Sequence, residues 1–410
     1  MTTTEPPDVL TRVLQPDLIA DPYPYLAWVR EHHPVHRAPA GFHLITRHAD
    51  CRRVLEDVES FRGPRPDQVD ALFPLARRYR SIRMATRTLT MKNPPEHTRL
   101  RRLINREFTP RGIARLHRNV VGICDRALDV VTEPLRDGAV VDLHHAVSLA
   151  VPTEVLADLF GFPESDRAWL FGHFEAILTS FVPGASERAV AAAEAANAEV
   201  EHYIRDLVAA CREEPGRGLL ATWASVHDDN PDEFTYDELV AMLWGMIAGG
   251  VATVAAGMSN AVLTLLRSPE TSGWLRDGEH EAGRFVSEVL RHQSPSFVSG
   301  TPRYAVRDVE LSGVTVPAGA EVRTMLSSAH RDPAVFPDPD RFDPTRDLGQ
   351  TLVFGRGIHY CLGALLARME IQTLLPVLHH RHPDLALVGE PVWRPTLPVR
   401  SLQRLPVATG

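Results

Sequence analysis

Hydrophobic positions recur every three or four residues in several long stretches of the chain, the spacing typical of amphipathic helices. The longest apolar run extends from 239 to 266 and contains no charged residue. It follows Thr235-x-x-Glu238, a capping box that predicts where its helix begins. If the helix continues to about Arg267, it is ~48 Å long at ~1.5 Å per residue, which is enough to cross a domain.

The same run is long enough to span a lipid bilayer. Gly245 and Gly249 form a G-x-x-x-G, which would suit a paired membrane helix. However, the run also contains Ser259, Asn260 and many alanines, and no aromatic belt flanks it. We therefore favour a helix buried in a large domain over a membrane span.

Shorter patterns predict the remaining elements. The first sixty residues predict a helix at 24–32, strands at 35–37 and 42–46, and a helix at 48–56, and loops are expected over 61–90. Residues 111–212 are predicted to be mostly helical, with breaks at Val151-Pro152 and at 161–163, and 301–350 to be β-rich and then irregular. The predicted fold class is mainly α with a smaller β region.

Composition and charge narrow the possible functions. The chain has 410 residues, 44% of them hydrophobic and 23% charged, which is ordinary for a globular protein. Its net charge of −8 gives no support for nucleic-acid binding. The four cysteines are scattered, and the first residues lack a hydrophobic signal segment, so we expect a reducing, cytoplasmic location.

One glycine-rich loop near the C-terminal end carries the candidate chemistry. Residues 354–363 read Phe-Gly-Arg-Gly-Ile-His-Tyr-Cys-Leu-Gly and bring Cys361 to the start of a helix predicted from Leu362 to about Leu375. A helix start favours the thiolate form of cysteine, and glycines allow the backbone to approach something large and flat. This combination indicates an axial ligand of haem iron, and a structural cysteine in a turn is the alternative.

The loop resembles the haem-binding signature of the cytochrome P450 family, F-G-x-G-x-H-x-C-x-G, at every fixed position. The resemblance runs from about Asp21 to Val407. It implies a tail at 1–20, then a single catalytic domain at 21–410 with the triangular haem-thiolate prism fold. It also implies that Cys361 ligates the iron of haem b (iron protoporphyrin IX), with Phe354, Gly355 and Gly363 beside it.

Four basic side chains match family positions that hold the haem propionates. His97 and Arg101 lie four residues apart on one face of a helix that opens after two prolines. On that stretch alone, a solvated charge stripe is the favoured interpretation. The resemblance adds Arg303 and His359, so all four are expected to neutralise propionates by charge-assisted hydrogen bonds.

The middle of the long apolar run resembles the oxygen-binding segment of the family, usually A/G-G-x-D/E-T. Aligning Gly249 and Gly250 with the glycines places Thr253 on the threonine and Ala252 on the acid. A shift by one residue would place Val251 on the acid instead, so the acid is absent in either register. A threonine within a helix can also hydrogen-bond back to its own helix backbone.

Glu288 and Arg291 match the family's E-x-x-R pair, which is buried and therefore needs a further partner. Arg341 is the candidate partner because Pro-Asp-Arg-Phe at 339–342 resembles the family's P-E-R-F, and Arg346 is the runner-up. The histidines at 379–382 lack a closed ligand set, so they do not predict a metal site.

The resemblance implies a monomeric monooxygenase that inserts one atom of O2 into a hydrophobic small molecule, by hydroxylation or epoxidation. We expect a secondary metabolite such as a polyketide or terpenoid, and electrons from a separate ferredoxin and ferredoxin reductase on the proximal face. Predicted pocket residues are mainly apolar: Phe174, Leu178, Met246, Phe297, Val298, Leu397 and Val399.

The missing acid at position 252 leaves other functions open. A haem-thiolate nitric oxide reductase and a peroxide-driven oxygenase are the enzymatic alternatives. A non-catalytic haem sensor or a carrier-docking module would leave the oxygen-binding helix without a use. A monooxygenase that takes protons from water or from a substrate hydroxyl is the favoured interpretation.

Overall fold

The protein is mainly helical in this computed structural model, which describes residues 8–73, 78–105, 107–179, 186–213, 218–276 and 278–410. The helices span Val9–Arg12 (α1), Tyr23–His32 (α2), His48–Glu56 (α3), Pro66–Leu72 (α4), Arg80–Thr86 (α5), Glu96–Ile104 (α6), Pro110–Arg136 (α7), Ala150–Phe160 (α8), Arg167–Thr179 (α9), Glu187–Glu213 (α10), Leu219–Asp229 (α11), Tyr236–Arg267 (α12), Gly273–Arg276 (α13), Glu279–His292 (α14), Leu326–Ala329 (α15) and Ala364–Arg381 (α16). A π-helix at His144–Leu149 leads into α8.

The strands are short and form the smaller β region. They span Val35–Arg37 (β1), His43–Ile45 (β2), Phe61–Arg62 (β3), Val141–Asp142 (β4), Arg303–Ala305 (β5), Val309–Leu311 (β6), Val314–Val316 (β7), Glu321–Thr324 (β8), Leu385–Leu387 (β9), Val392–Trp393 (β10), Leu402–Arg404 (β11) and Pro406–Thr409 (β12). The five-stranded sheet has the order β1-β2-β8-β5-β3, with β2 and β8 parallel. The fold class predicted from the sequence is confirmed.

The chain forms two compact units. The first contains Met1–Gly63, Val120–Val151 and Ala252–Gly410, and the second contains Pro64–Asn119 and Pro152–Val251. All the strands named above belong to the first unit. The prediction of a single domain at 21–410 stays a prediction.

Two apolar clusters form the core of the first unit. One lies under the five-stranded sheet and includes Ile45, Phe61 and Val322. The other joins Val9 and Val13 to Leu26, Met325 and neighbouring side chains. Residues of α1 therefore contribute to this core. The predicted tail at 1–20 stays a prediction.

The second unit is helical and packs around aromatic side chains. Trp223 lies edge-on to Phe160 and Phe234, with ring centroids 5.8 and 6.2 Å away. The predicted loop at 61–90 contains α4 and α5, so that prediction is wrong over those residues. Pro66 suits the first turn of α4, where its missing N–H leaves no helical hydrogen bond unmade.

Helix α12 begins where the capping box predicts. The Thr235 backbone N–H donates to Glu238 Oε2 at 3.0 Å, and the Glu238 N–H donates to Thr235 Oγ1 at 3.2 Å. Of the described helices, α12 alone is long and apolar enough to cross a membrane, but 56% of its most apolar window is buried inside the protein. This burial supports the prediction of a core helix.

The predicted helix break at Val151-Pro152 is wrong, because α8 begins at Ala150 and runs through both residues. Pro152 lies in the first turn of α8, where proline is tolerated. The second predicted break is confirmed: Gly161, with φ of +79°, follows the end of α8.

A buried ion pair on α14 holds the irregular chain that leads to the cysteine loop. Arg291 donates from Nε and Nη2 to the two carboxylate oxygens of Glu288 at 2.7 Å each, and both side chains are fully buried. Arg291 Nη1 also donates to the carbonyls of His330 and Pro339 at 2.8 Å each. The pair therefore satisfies its own charges and fixes backbone far along the chain.

The third charged member of this network is Arg346. Its Nε lies 3.4 Å from Glu288 Oε1, and the side chain is 11% exposed. The choice of Arg341 is wrong, because that side chain is 70% exposed and pairs with Asp343 at 3.4 Å. Arg341 contributes only its carbonyl oxygen, which accepts from Arg291 Nη2 at 3.3 Å.

We expect Glu288→Ala to lower the free energy of unfolding by about 3–5 kcal/mol, since Arg291 would remain buried without its carboxylate. Chemical denaturation followed by circular dichroism measures the loss. Glu56→Ala is the control, because Glu56 pairs with Arg52 at 2.9 Å on the surface, and it should change stability by less than about 1 kcal/mol. Equal effects of the two substitutions would contradict a central role for the buried pair.

Candidate functional site

The cysteine loop is fixed by its own backbone before α16 begins. The Cys361 N–H donates to the Phe354 carbonyl at 2.8 Å, and the Tyr360 N–H donates to the Gly357 carbonyl at 3.1 Å. Together these bonds close a turn that leaves Cys361 exposed at its end. The loop therefore holds one exposed thiol in a fixed position.

The helix after the loop starts and ends later than predicted. Gly363 is the N-cap and α16 runs from Ala364 to Arg381, so Cys361 precedes the helix instead of opening it. The helix also continues through Pro376, where a stop was expected. Packing of buried Leu374, Leu375 and Leu378 offsets the lost hydrogen bond there.

Two glycines of the loop have different structural roles. At Gly357, φ is +68° and a Cβ would lie 2.6 Å from the Leu55 carbonyl oxygen, so no side chain fits against the end of α3. At Gly363, nothing lies within 4 Å of the Cβ position. The open side at Gly363 suits a planar partner, whereas Gly357 serves packing within the protein.

Two arginine side chains, Arg368 and Arg356, bind the cysteine loop to neighbouring segments. The Arg368 guanidinium lies 5.0 Å from the Phe354 ring centroid and donates from Nη1 to Ser287 Oγ at 2.6 Å. Arg356 Nη2 donates to the carbonyls of Gly349 and Thr351. These contacts link the loop to α14 and to the irregular segment before it.

Arg303 is a buried cation that forms no ion pair with any carboxylate of the described residues. It lies on β5 at 7% exposure, and its hydrogen bond to the Pro302 carbonyl is long, at 3.3 Å. Burial lowers the pKa of its guanidinium to about 10, and no salt bridge to Arg303 occurs within the described ranges. A buried charge of this kind is stabilised by an anionic partner.

His97 and Arg101 share one face of α6, as their spacing predicts, and His97 is 3% exposed. They belong to the second unit, whereas Arg303, His359 and Cys361 belong to the first. Their assignment to the same ligand stays a prediction.

The middle of α12 is continuous helix through Gly249, Gly250, Ala252 and Thr253. A Cβ at Gly250 would lie 2.8 Å from Leu156 Cδ1, so this glycine permits close packing of α8. At Gly249 nothing lies within 4 Å of the Cβ position. The acid position is occupied by Ala252 in one register and by Val251 in the other, so the segment lacks the acid in both.

The predicted pocket residues are divided between core and partly exposed positions. Phe297 and Val298 are each 3% exposed and pack in the apolar cluster of α1 and α2, with Leu397 at its edge. Val399 pairs with Ser296 in an isolated β-bridge. Their role as pocket walls stays a prediction.

In the second unit, Phe174 is buried on α9 and Met246 is partly buried on α12. The side chain of Leu178 lies outside the described part of the structure. The pocket roles of these three residues also stay predictions.

Comparison with known proteins identifies this arrangement. A family model described as Cytochrome P450 matches residues 73–277 and 283–381. Cytochrome P450 BJ-3 of Bradyrhizobium diazoefficiens is 42% identical over 99% of this chain and 97% of its own length. Cytochrome P450 monooxygenase PikC of Streptomyces venezuelae is 34% identical over 99% of this chain and 95% of its own. The crystal structure of CalO2 is 28% identical with a TM-score of 0.88, covering 97% of this chain and 98% of that one.

The fold and the cysteine loop thus define a haem-thiolate oxidoreductase of the monooxygenase class. The chain belongs to the cytochrome P450 family. The residues present fit the haem that this family implies: an exposed thiol on a fixed loop, an open glycine beside it, and a buried arginine in the same unit that needs an anion.

Sequence reasoning missed several residues that support the site. Arg368 and Ser287 tie the loop to α14. Glu370 is a further buried carboxyl, on α16. The apolar residues around it in the sequence were the available signal, because they place position 370 on a core-facing side of that helix.

We expect Gly357→Ala to destabilise the protein more than Gly389→Ala. Both glycines have positive φ, +68° and +77°, but only Gly357 faces a backbone oxygen at clash distance. Gly389→Ala, the control, should lower the free energy of unfolding by about 1 kcal/mol, because alanine disfavours the left-handed conformation. Gly357→Ala should lower it by about 1–3 kcal/mol more, because its methyl group also clashes. Urea titration measures both losses of stability. Equal losses would show that the Leu55 backbone moves away from the added methyl group without destabilising the protein.

Proposed function

We propose that this enzyme inserts one oxygen atom of O2 into a hydrophobic small molecule of secondary metabolism, such as a polyketide or terpenoid. It uses haem b and electrons from a separate ferredoxin and ferredoxin reductase, and it works in the cytoplasm as a monomer. The observation that carries the proposal is the exposed Cys361 thiol on its fixed loop, in the same unit as a buried Arg303 whose charge needs an anion.

Named side chains would hold the cofactor. Cys361 Sγ would bind its iron, and Arg303 and His359 would donate hydrogen bonds to its propionates. The family resemblance assigns His97 and Arg101 to the same propionates. When bound, haem with a thiolate ligand supplies the activation of dioxygen for transfer to a C–H or C=C bond.

The chain's own part in that chemistry is to bind substrate and deliver protons. The Thr253 hydroxyl would hydrogen-bond dioxygen and an ordered water from α12. Ala252 offers a methyl group where the family pattern has a carboxylate, so it cannot pass on a proton. Protons must therefore reach Thr253 from another group.

The names of relatives support the substrate class. They include 6-deoxyerythronolide B hydroxylase, mycinamicin IV hydroxylase/epoxidase and vitamin D(3) 25-hydroxylase. Each name describes oxidation of a large, mainly apolar molecule. Apolar side chains such as Phe174 and Met246 would suit the same class as lining residues.

We expect the reduced protein with carbon monoxide to absorb far to the red of histidine-ligated haem, because a thiolate is the stronger electron donor. Cys361→Ala should abolish this band. Cys211→Ala is the control, since Cys211 lies on α10, outside the cysteine loop, and should leave the band unchanged. If the band persisted in Cys361→Ala, Cys361 would not be the ligand of the iron.

Turnover assays test the reaction itself. With ferredoxin, ferredoxin reductase and NADPH, we expect oxygenated product from at least one of 6-deoxyerythronolide B, mycinamicin IV and vitamin D3. Mass spectrometry should show one atom from labelled O2 in that product. Turnover only with hydrogen peroxide, or NADPH oxidation that depends on nitric oxide, would replace the proposal by the corresponding alternative.

A further inference from the structure

Arg400 is a buried arginine whose hydrogen bonds join the C-terminal part of the first unit to its N-terminal segment. The residue is 6% exposed. Its Nη1 donates to the Ile19 carbonyl at 2.7 Å, and its Nη2 donates to the Ala20 carbonyl at 2.9 Å. Because both acceptors are backbone oxygens of adjacent residues, the guanidinium fixes the chain at 19–20 relative to position 400.

Aromatic rings pack against the same guanidinium. Its central carbon lies 3.6 Å from the Trp393 ring centroid and 5.9 Å from the Tyr23 ring centroid. Trp393 ends β10, and Tyr23 opens α2. A cation over an aromatic ring is attracted to its face, and the attraction is stronger where water is excluded. The rings therefore restrict the orientation in which Arg400 reaches the two carbonyls.

Arg400 is the buried end of a loop that is otherwise exposed or partly exposed. Residues 394–400 lie between β10 and β11, and we call them the hairpin loop. Of these described residues, Arg400 alone is buried. Leu397 and Val399, which the sequence predicts as pocket residues, are partly exposed. The Arg400 side chain is therefore the anchor that ties the hairpin loop to the interior of the unit.

Backbone hydrogen bonds connect the hairpin loop to a second stretch of predicted pocket residues. The Arg400 N–H donates to the Pro295 carbonyl at 2.8 Å, and the Phe297 N–H donates to the Pro398 carbonyl at 3.0 Å. Phe297 packs in the same apolar cluster as Val9 of α1. The N-terminal segment thus supports this connection twice, through the apolar cluster on one side and through Arg400 on the other.

We propose that Arg400 is a positioning residue that sets the place of Leu397 and Val399 and thereby selects which carbon of the substrate is oxidised. The inference deepens the proposed function and rests on it, because it takes these two side chains as walls of the substrate pocket. Arg400 acts through the hairpin loop, since backbone carbonyls and aromatic rings occupy its own guanidinium.

Small displacements of these two side chains are enough for such an effect. Val399 directly precedes Arg400, and Leu397 lies three residues before it, so release of the guanidinium frees both. Dispersion contacts weaken steeply when a gap of ~0.5–1 Å opens between apolar atoms. Transfer to a carbon atom depends on its alignment at a similar scale, so a looser wall changes the preferred position of attack.

The first test measures the hairpin loop in the haem-loaded protein without substrate. Arg400→Met keeps an unbranched side chain but cannot donate to the carbonyls of Ile19 and Ala20. The backbone amides at positions 297 and 400 should then exchange with deuterated solvent about tenfold faster or more, because the loop opens more often. Hydrogen exchange followed by mass spectrometry measures the rates, and unchanged rates at both positions would overturn the proposal.

Arg30→Met is the matched control. Arg30 is also a buried arginine of the first unit, at 7% exposure, and its Nη1 donates to the Ser328 carbonyl at 2.9 Å. It joins α2 to α15 and not to the hairpin loop. Its loss should lower stability but leave exchange at 297 and 400 unchanged. Equal acceleration in the two variants would show a general loosening of the unit and would overturn the role of Arg400.

The second test measures the pocket wall with N-alkylimidazoles from butyl to dodecyl. The imidazole nitrogen binds the iron of the haem-loaded protein, and the alkyl chain contacts apolar side chains around it. In Arg400→Met, affinity should fall by about fourfold for each methylene that loses its contact, so the gain with chain length becomes shallower. Arg400→Lys should recover part of that gain, because its ammonium group still donates hydrogen bonds. A profile that Arg400→Met leaves unchanged would contradict the proposal.

The third test is product analysis with a substrate that the turnover assays identify. Arg400→Met should change the ratio of oxidation products, whereas Arg30→Met should not. Trp393→Leu removes the ring that packs on Arg400 and should shift the ratio in the same sense. Because the two residues act as one unit, the double substitution should add little to Arg400→Met alone. An unchanged ratio in Arg400→Met, or fully additive effects, would overturn the proposal.

The tests also separate this inference from the proposed function. If no substrate is oxidised under any condition, the proposed function fails. Amide exchange and the alkylimidazole profile need no turnover, so they decide whether Arg400 positions the hairpin loop in that case as well.

Discussion

The buried ion pair of Glu288 and Arg291 is the interaction on which the rest of the site depends. Its arginine binds carbonyl oxygens at 330, 339 and 341, and its glutamate accepts the backbone N–H of Asp343 at 2.9 Å. These bonds give the irregular chain before the cysteine loop one conformation. Directly before Glu288 on α14, Ser287 accepts a hydrogen bond from Arg368 of α16. A single helix thus positions both ends of the thiol-bearing loop.

Desolvation acts in opposite directions on two buried ionisable groups of the first unit. Arg303 and Glu370 are both buried, and for both burial alone shifts the pKa, downward for the cation and upward for the acid. The chain resolves the two cases differently. A permanent guanidinium keeps its charge and requires an anion, whereas a carboxyl can keep its proton and stay neutral. The same burial therefore leaves Arg303 charged and Glu370 neutral.

Much of the fold could be predicted where the signal is local. The capping box at Thr235 and the glycine-rich pattern around Cys361 specify backbone geometry through neighbouring residues, and the structure has the predicted forms there. The choice between Arg341 and Arg346 could not be made locally, because it depends on which side chain folds back onto α14. The start of α16 at Ala364 and the burial of Glu370 likewise follow from packing between distant elements.

Gly357 shows how specifically the cysteine loop is matched to its support. Its missing Cβ lets the loop lie against the last turn of α3, about three hundred residues earlier in the chain. The conformation of the loop and the position of the end of α3 therefore depend on each other. A chimera that exchanges residues 350–363 with a relative must exchange the end of α3 as well, or the thiol will be carried on a surface that no longer fits it.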